Sequence, residues 1–227
     1  MRWARMVLAV VVVLVAAPAW ADFQAGLEAY ERGDYATALT EFRPLAQQGD
    51  ASAQFNLGFM YSKGRGVPQD DAEAVRWYRR AAEQGHAVAQ FSLGVMYSKG
   101  EGVPQDDAEA VRWYRRGAEQ GDAKAQFNLG GMYLEGRGVL QDDAEAVRWY
   151  RRGAEQGNAK AQFNLGGMYL GGRGVPQDYV QAHMWVNLAA AQGLEAARNN
   201  RDLASKQMPP AQLAEAQRLA REWKPKP

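Results

Sequence analysis

Residues Asp106–Gln141 read DDAEAVRWYRRGAEQGDAKAQFNLGGMYLEGRGVLQ, and Asp142–Gln177 repeat them with three differences: Asp122/Asn158, Glu135/Gly171 and Leu140/Pro176. A looser copy runs from Asp70 to Gln105, and degenerate ones start at Asp34 and at Asp178. A fixed period of 36 residues marks a solenoid, because one such unit cannot bury its apolar face alone and stacked neighbours must supply the core. Chains of this kind work through an extended surface.

Each copy contains two helical patterns separated by glycines. In the first, Ala89, Leu93, Met96 and Tyr97 fall at three- and four-residue spacings between Ala87 and Tyr97, and the pattern ends before Gly100. The second starts at Asp106 and runs through Val111, Trp113 and Tyr114 to Gly121; Asp106 with Glu109 has the spacing of an acidic capping box. Gly94, Gly130 and Gly166 lie inside helices, where glycine costs roughly 1 kcal/mol relative to alanine, so a close approach of two helix backbones is expected there. The pairs Trp77-Tyr78, Trp113-Tyr114 and Trp149-Tyr150 are expected in the core, since packing demands repetition in every unit and a single ligand site does not. Gly64-Arg-Gly-Val-Pro-Gln-Asp70 lacks the Lys-Ser/Thr ending of a phosphate loop and recurs between helices, so it reads as a turn.

The first 21 residues carry a different pattern. Arg2 and Arg5 precede an apolar run from Met6 to Ala17, followed by Pro18 and Ala19-Trp20-Ala21, the layout of a secretory signal peptide cut before Asp22. The run is short for a bilayer span, so no integral membrane segment is expected after cleavage, and the protein is expected in the periplasm or secreted. The absence of cysteine excludes disulfides and lipid attachment through cysteine. Without Arg2 and Arg5, the 27 basic and 26 acidic side chains come within one charge of balance, which argues against a nucleic-acid partner.

Ala-Gln-Phe-Asn-Leu-Gly-x-Met-Tyr-x-x-Gly-x-Gly-Val-x-Gln-Asp followed by Ala-x-x-Trp-Tyr-x-x-x-Ala-x-x-Gly resembles the Sel1-like repeat, a relative of the tetratricopeptide repeat with a longer loop inside the hairpin. The resemblance covers about Asp34 to Gly193; Phe23–Leu39, with its short turn at Gly33-Asp34-Tyr35, is closer to a tetratricopeptide hairpin. It implies an all-α, right-handed α/α superhelical solenoid of about six helical hairpins, with a repeat region at 22–193 and a capping helical hairpin at 194–227. It also implies that the first helix of each hairpin lines the concave face, and that the chain is an adaptor, a monomer holding a partner protein or peptide. Cysteine-rich relatives that bind or hydrolyse β-lactams suggest a cell-envelope hydrolase or β-lactam-binding protein as the alternative, but the paired cysteines of that subgroup are missing here.

Between the copies starting at Asp70 and Asp106, changes inside the first helix fall only at 88/124, 92/128, 95/131, 98/134 and 99/135, an arc of about 120° at 100° per residue. The candidate partner-binding residues on this face are Asn56, Phe59, Val88, Ser92, Val95, Lys124, Asn128, Lys160 and Asn164. They form a graded surface, apolar around Phe59 and Val95 and cationic-amide around Lys124, Asn128, Lys160 and Asn164. In related tetratricopeptide domains, lysine and asparagine at matching positions clamp a peptide carboxylate, so the second half of the groove resembles such a clamp.

No catalytic, cofactor or metal site is expected. His86 stands where other copies have the helix-capping Asp50, Asp122 and Asn158, and His183 reads as a replacement for a repeat arginine; neither has a ligand-spaced histidine or cysteine. Ser-x-x-Lys, Lys-Thr-Gly, Gly-x-Ser-x-Gly and His-Glu-x-x-His are all missing. The recurring Asp106, Asp107 and Glu109 read as helix-start residues that complement the dipole.

Overall fold

The structure, a computed structural model, describes residues 19–226. Residues 1–18, which carry most of the expected signal peptide, lie outside the described residues, and Ala19-Trp20-Ala21 open the first helix.

Among the described residues the chain forms twelve α-helices and no strand. They are α1 (Ala19–Glu31), α2 (Tyr35–Gln48), α3 (Ala51–Lys63), α4 (Asp71–Glu83), α5 (Ala87–Lys99) and α6 (Asp107–Glu119), then α7 (Ala123–Glu135), α8 (Asp143–Glu155), α9 (Ala159–Gly171), α10 (Tyr179–Ala191), α11 (Glu195–Lys206) and α12 (Pro210–Glu222). The first ten pair as hairpins, α1 with α2 through α9 with α10, and each second helix also packs on the first helix of the next pair. The result is a right-handed α/α solenoid.

Caps set the helix boundaries. Asp50, Asp122 and Asn158 accept from the backbone N–H three residues on, at 2.6, 2.7 and 3.0 Å, and His86 does the same through Nδ1 at 3.2 Å. Gly64, Gly100, Gly136 and Gly172 end the first helices in the left-handed region. The capping-box expectation is corrected at its second half. Asp106 accepts from Glu109 N at 3.0 Å, but the Asp106 N–H is taken by the Tyr97 carbonyl at 2.9 Å, so Glu109 pairs with Arg112 instead.

The core is shared between units. Trp113 packs with Val75 and Tyr78 of the preceding hairpin and with Leu93 of its own; Trp149 packs with Val111, Tyr114 and Leu129. Trp113 is 7% exposed and Leu93 fully buried, so the Trp-Tyr pairs are core residues as their repetition predicts. The indole N–H groups of Trp77, Trp113 and Trp149 are buried without a hydrogen-bond partner, while Arg80, Arg116 and Arg152 lie 4.6, 4.7 and 4.7 Å over their rings.

At Gly166 a Cβ would lie 3.1 and 3.2 Å from the Ala182 carbonyl oxygen and the Val186 nitrogen, the close backbone approach expected, whereas at Gly94 and Gly130 the close contact is with a side chain. A Cβ on Gly94 or Gly130 would lie 2.6 or 2.7 Å from Cδ1 of Tyr114 or Tyr150, so the ring of the second helix lies flat on the first. The closest backbone approach occurs in the connectors. Gly102, Gly138 and Gly174 have φ of 68, 65 and 65°, and a Cβ on any of them would collide with the carbonyl of Asp71, Asp107 or Asp143 of the preceding unit.

Two further expectations are corrected. α11 and α12 do not pack on each other as a capping hairpin; both pack on α10. α11 lacks the Leu-Gly-x-Met-Tyr pattern that would seat a partner, buries only Ala197 and Ala204, and leaves Leu203 51% exposed. α12 instead brings Ala220 and Trp223 against the Trp185 cluster, with the Trp185 and Trp223 rings edge-to-face at 6.4 Å. Lys226 then fastens the tail, its N–H donating to the Glu155 carbonyl at 2.8 Å and its ammonium 3.0 Å from the Glu155 carboxylate. His183 stands at the register of Val111 and Val147, one residue before the arginine position, and is 3% exposed, which is why it is a core residue.

Candidate partner-binding face

The nine candidate residues fall along one side of α3, α5, α7 and α9, where three neighbouring hollows collect most of them. The first, about 370 Å³, is lined by Phe59, Ser92 and Val95 together with Lys63, Asp71 and Glu101. The second, about 260 Å³, joins Val95 to Asn128. The third, about 430 Å³, brings Lys124, Asn128 and Lys160 together beside Phe91, Phe127 and Asn158. Lys124 and Lys160 are exposed, and neither forms an ion pair with another described residue. Asn56, Val88 and Asn164 line none of these hollows.

Local chemistry explains why the asparagines differ from the lysines. Asn56 donates to the Ser52 carbonyl at 2.9 Å, and Ser92 donates to the Val88 carbonyl at 2.8 Å, so both are partly engaged along their own helix. Asn128 and Asn164 are half-buried beside the hydroxyls of Tyr114 and Tyr150. Burial raises the Tyr114 hydroxyl's pKa against opposing hydrogen bonds with Asn128 and Ser98, and pushes that of Tyr150 up to about 12 against Asn164. The asparagines therefore sit against the second helix of the preceding hairpin, while the exposed lysines do not.

Four consecutive copies of the Sel1 repeat match residues 51–86, 87–122, 123–158 and 159–194. The chain belongs to the Sel1 repeat family.

It is similar to c5321, a protective antigen of uropathogenic Escherichia coli displaying an SLR fold, with 36% identity over 91% of this chain and 45% of that one, and a TM-score of 0.81. The Sel1 repeat protein of Oxalobacter formigenes is 34% identical, covers 89% of this chain and 85% of its own, and gives 0.77. Among curated proteins, the DAP3-binding cell death enhancer 1 of Rattus norvegicus is 40% identical over 50 residues, 22% of this chain and only 10% of that protein. Sel1 repeat proteins are in general protein-interaction scaffolds without enzymatic activity of their own. Among the described residues no group of His, Cys, Asp or Glu is placed to hold a metal ion, and no helix is long and apolar enough to cross a membrane.

One set of Sel1 residues was missed by reading helix faces. Gln54, Gln90, Gln126 and Gln162 are buried, and each donates to a carbonyl eight residues earlier at 3.0–3.1 Å. Each also accepts from Gln84, Gln120, Gln156 or Gln192, 30 residues later, at 2.7–2.8 Å. This relay links the end of one unit's second helix to the next hairpin. The signal was present, since an invariant glutamine recurs at 36-residue spacing beside the buried alanine. A second link joins Arg115 to Tyr133 at 2.7 Å and Arg151 to Tyr169 at 2.8 Å across the turn between units.

Proposed function

We propose that this Sel1 chain is an exported protein-interaction scaffold that holds an extended segment of a partner protein along its first-helix face, the concave side of the superhelix. The observation that carries the reading is the hollow shared by Lys124, Asn128 and Lys160, where two uncompensated ammonium groups one unit apart flank an amide. Ammonium and amide donors at that spacing suit a carboxylate or a run of backbone carbonyls. The apolar hollow at Phe59 and Val95 offers side-chain burial on the same face.

The test compares capture of partner proteins by the wild type, by Lys124→Glu/Lys160→Glu, and by Arg112→Glu/Arg148→Glu on the other helices. Loss in the lysine variant alone supports the reading; loss in the arginine variant alone moves the site away. Export is supported by Arg2, Arg5, the apolar run Met6–Ala17 and Ala19-Trp20-Ala21. N-terminal sequencing of the protein from fractionated cells should find Asp22 first, and recovery of residues 1–21 on membrane-bound protein would overturn that part.

A further inference from the structure

The connectors of the Sel1 units carry an arginine that reaches back to the preceding unit. Arg137 gives Asp107 a forked pair of hydrogen bonds, Nε to Oδ2 at 3.1 Å and Nη2 to Oδ1 at 2.7 Å, and also donates to Ser98 at 3.3 Å. Arg173 grips Asp143 in the same way at 3.2 and 3.0 Å. One unit earlier the residue is Glu101, opposite Asp71. The backbone there is unchanged, because Gly102 lies against the Asp71 carbonyl as Gly138 lies against Asp107. The cradle for a guanidinium is built, and its guanidinium has been replaced by a second carboxylate.

Lys63 and Lys99 line the same hollow, and Lys99 already pairs with Glu101, so Asp71 is the carboxylate left without a cation. Glu101 is 3.5 Å from Lys99, and Lys63 sits 5.9 Å from the Phe59 ring centroid, while Asp71 makes no ion pair with another described residue. This carboxylate opens into the hollow lined by Phe59 and Val95, with Ser62 at the register that Ser98 holds beside Arg137. With Glu101 held by Lys99, the unpaired Asp71 beside the Phe59 and Val95 side chains suits a planar, forked cation on an aliphatic stem better than the compact ammonium of lysine.

We propose that this hollow is the docking site for an arginine side chain of the partner segment, whose guanidinium takes on Asp71 the place that Arg137 takes on Asp107. The proposal rests on the peptide-holding role of the first-helix face and names the chemistry of one end of that face. Binding there is charge-assisted and forked, so it depends on the guanidinium and not merely on bulk.

The probe is a blocked seven-residue peptide with one central arginine flanked by leucines, alongside the same peptide with citrulline or lysine at the centre. Calorimetry measures affinity, and amide shifts locate the contact. The arginine peptide should bind with shifts at Ser62, Asp71 and Glu101, citrulline should bind at least about tenfold more weakly, and lysine should fall between. Glu101→Arg restores the connector arginine of the two following units, although Lys99 stands where they have Glu135 and Gly171; it should fold, melt close to wild type, and lose arginine-peptide affinity at least about tenfold by filling the cradle from within. Lys124→Glu/Lys160→Glu should leave this affinity unchanged. Equal affinity for arginine and citrulline peptides, no binding at millimolar concentration, or undiminished binding to Glu101→Arg overturns the proposal. If partner capture depends on the lysines while Glu101→Arg has no effect on either ligand, the arginine site falls and the scaffold face stands.

Discussion

Gly130 and Gly131 are adjacent in α7, yet alanine at the two positions should change stability in opposite directions. At Gly130 the added Cβ would lie 2.7, 2.8 and 3.2 Å from Cδ1, Cε1 and Cγ of Tyr150, a side chain only 1% exposed. The ring cannot move aside without displacing its neighbours, so overpacking costs about 1–3 kcal/mol. Against that stands a helix-propensity gain of roughly 1 kcal/mol, leaving a net loss of up to about 2 kcal/mol. At Gly131 the nearest atom is the Tyr150 hydroxyl at 3.7 Å, ordinary contact, and the same register is filled by Phe59 and Val95 in other units. Only the propensity term remains there, a gain of about 0.5–1 kcal/mol. The propensity gain is common to both, so the two variants should differ by the overpacking cost of about 1–3 kcal/mol, a separation of some 2–12 °C in melting temperature for a chain of this size. Urea and thermal denaturation followed by circular dichroism measure both. If the two alanines shift stability in the same direction by similar amounts, the Tyr-on-Gly packing is not what holds glycine at this position.

Trp113→Ala should destabilise by roughly 3–5 kcal/mol and Lys124→Ala by no more than about 0.5 kcal/mol; urea melts decide, and a neutral Trp113→Ala would refute the core assignment. Gln126→Met keeps the volume but removes a donor to the Ala118 carbonyl and an acceptor for Gln156, so a loss of about 2–3 kcal/mol is expected from the same melts. Burial lowers the His86 pKa from 6.5, so the folded state resists a proton that the unfolded chain accepts; stability should fall as pH drops below about 6.5. His86→Asp, the capping residue of two sister units, should flatten that part of the pH profile, and an unchanged slope would assign it to other groups. Deleting Asp142–Gln177 joins nearly identical surfaces and should leave a shorter helical protein with unchanged ellipticity per residue; aggregation would contradict the additive stacking.

The period, helix boundaries, caps and core aromatics were legible in the chain itself. A solenoid unit meets the same environment each time, so Leu93, Trp113 and Tyr114 recur where burial recurs, and Asp106 recurs where a helix starts. Six of the nine residues picked on the variable arc line the three hollows, although Ser98 on the same arc accepts from Arg137 of the next unit. Counting along one helix could not reveal what links residues 30 or more apart. The Gln90–Gln120 relay, the ring of Tyr114 on Gly94 and the engagement of Asn128 with Tyr114 all depend on how one helix lies across another. The C-terminal end shows the same limit. Leu194–Trp223 carries the periodicity of two helices, but periodicity specifies an apolar face and not its partner, and both helices pack on α10. The sequence alone determined the repeat, its helices and its exposed face, because these follow from local spacing. Only the tertiary structure decided which side chains bridge units and which stay free for a partner, because those contacts are set by distances between helices.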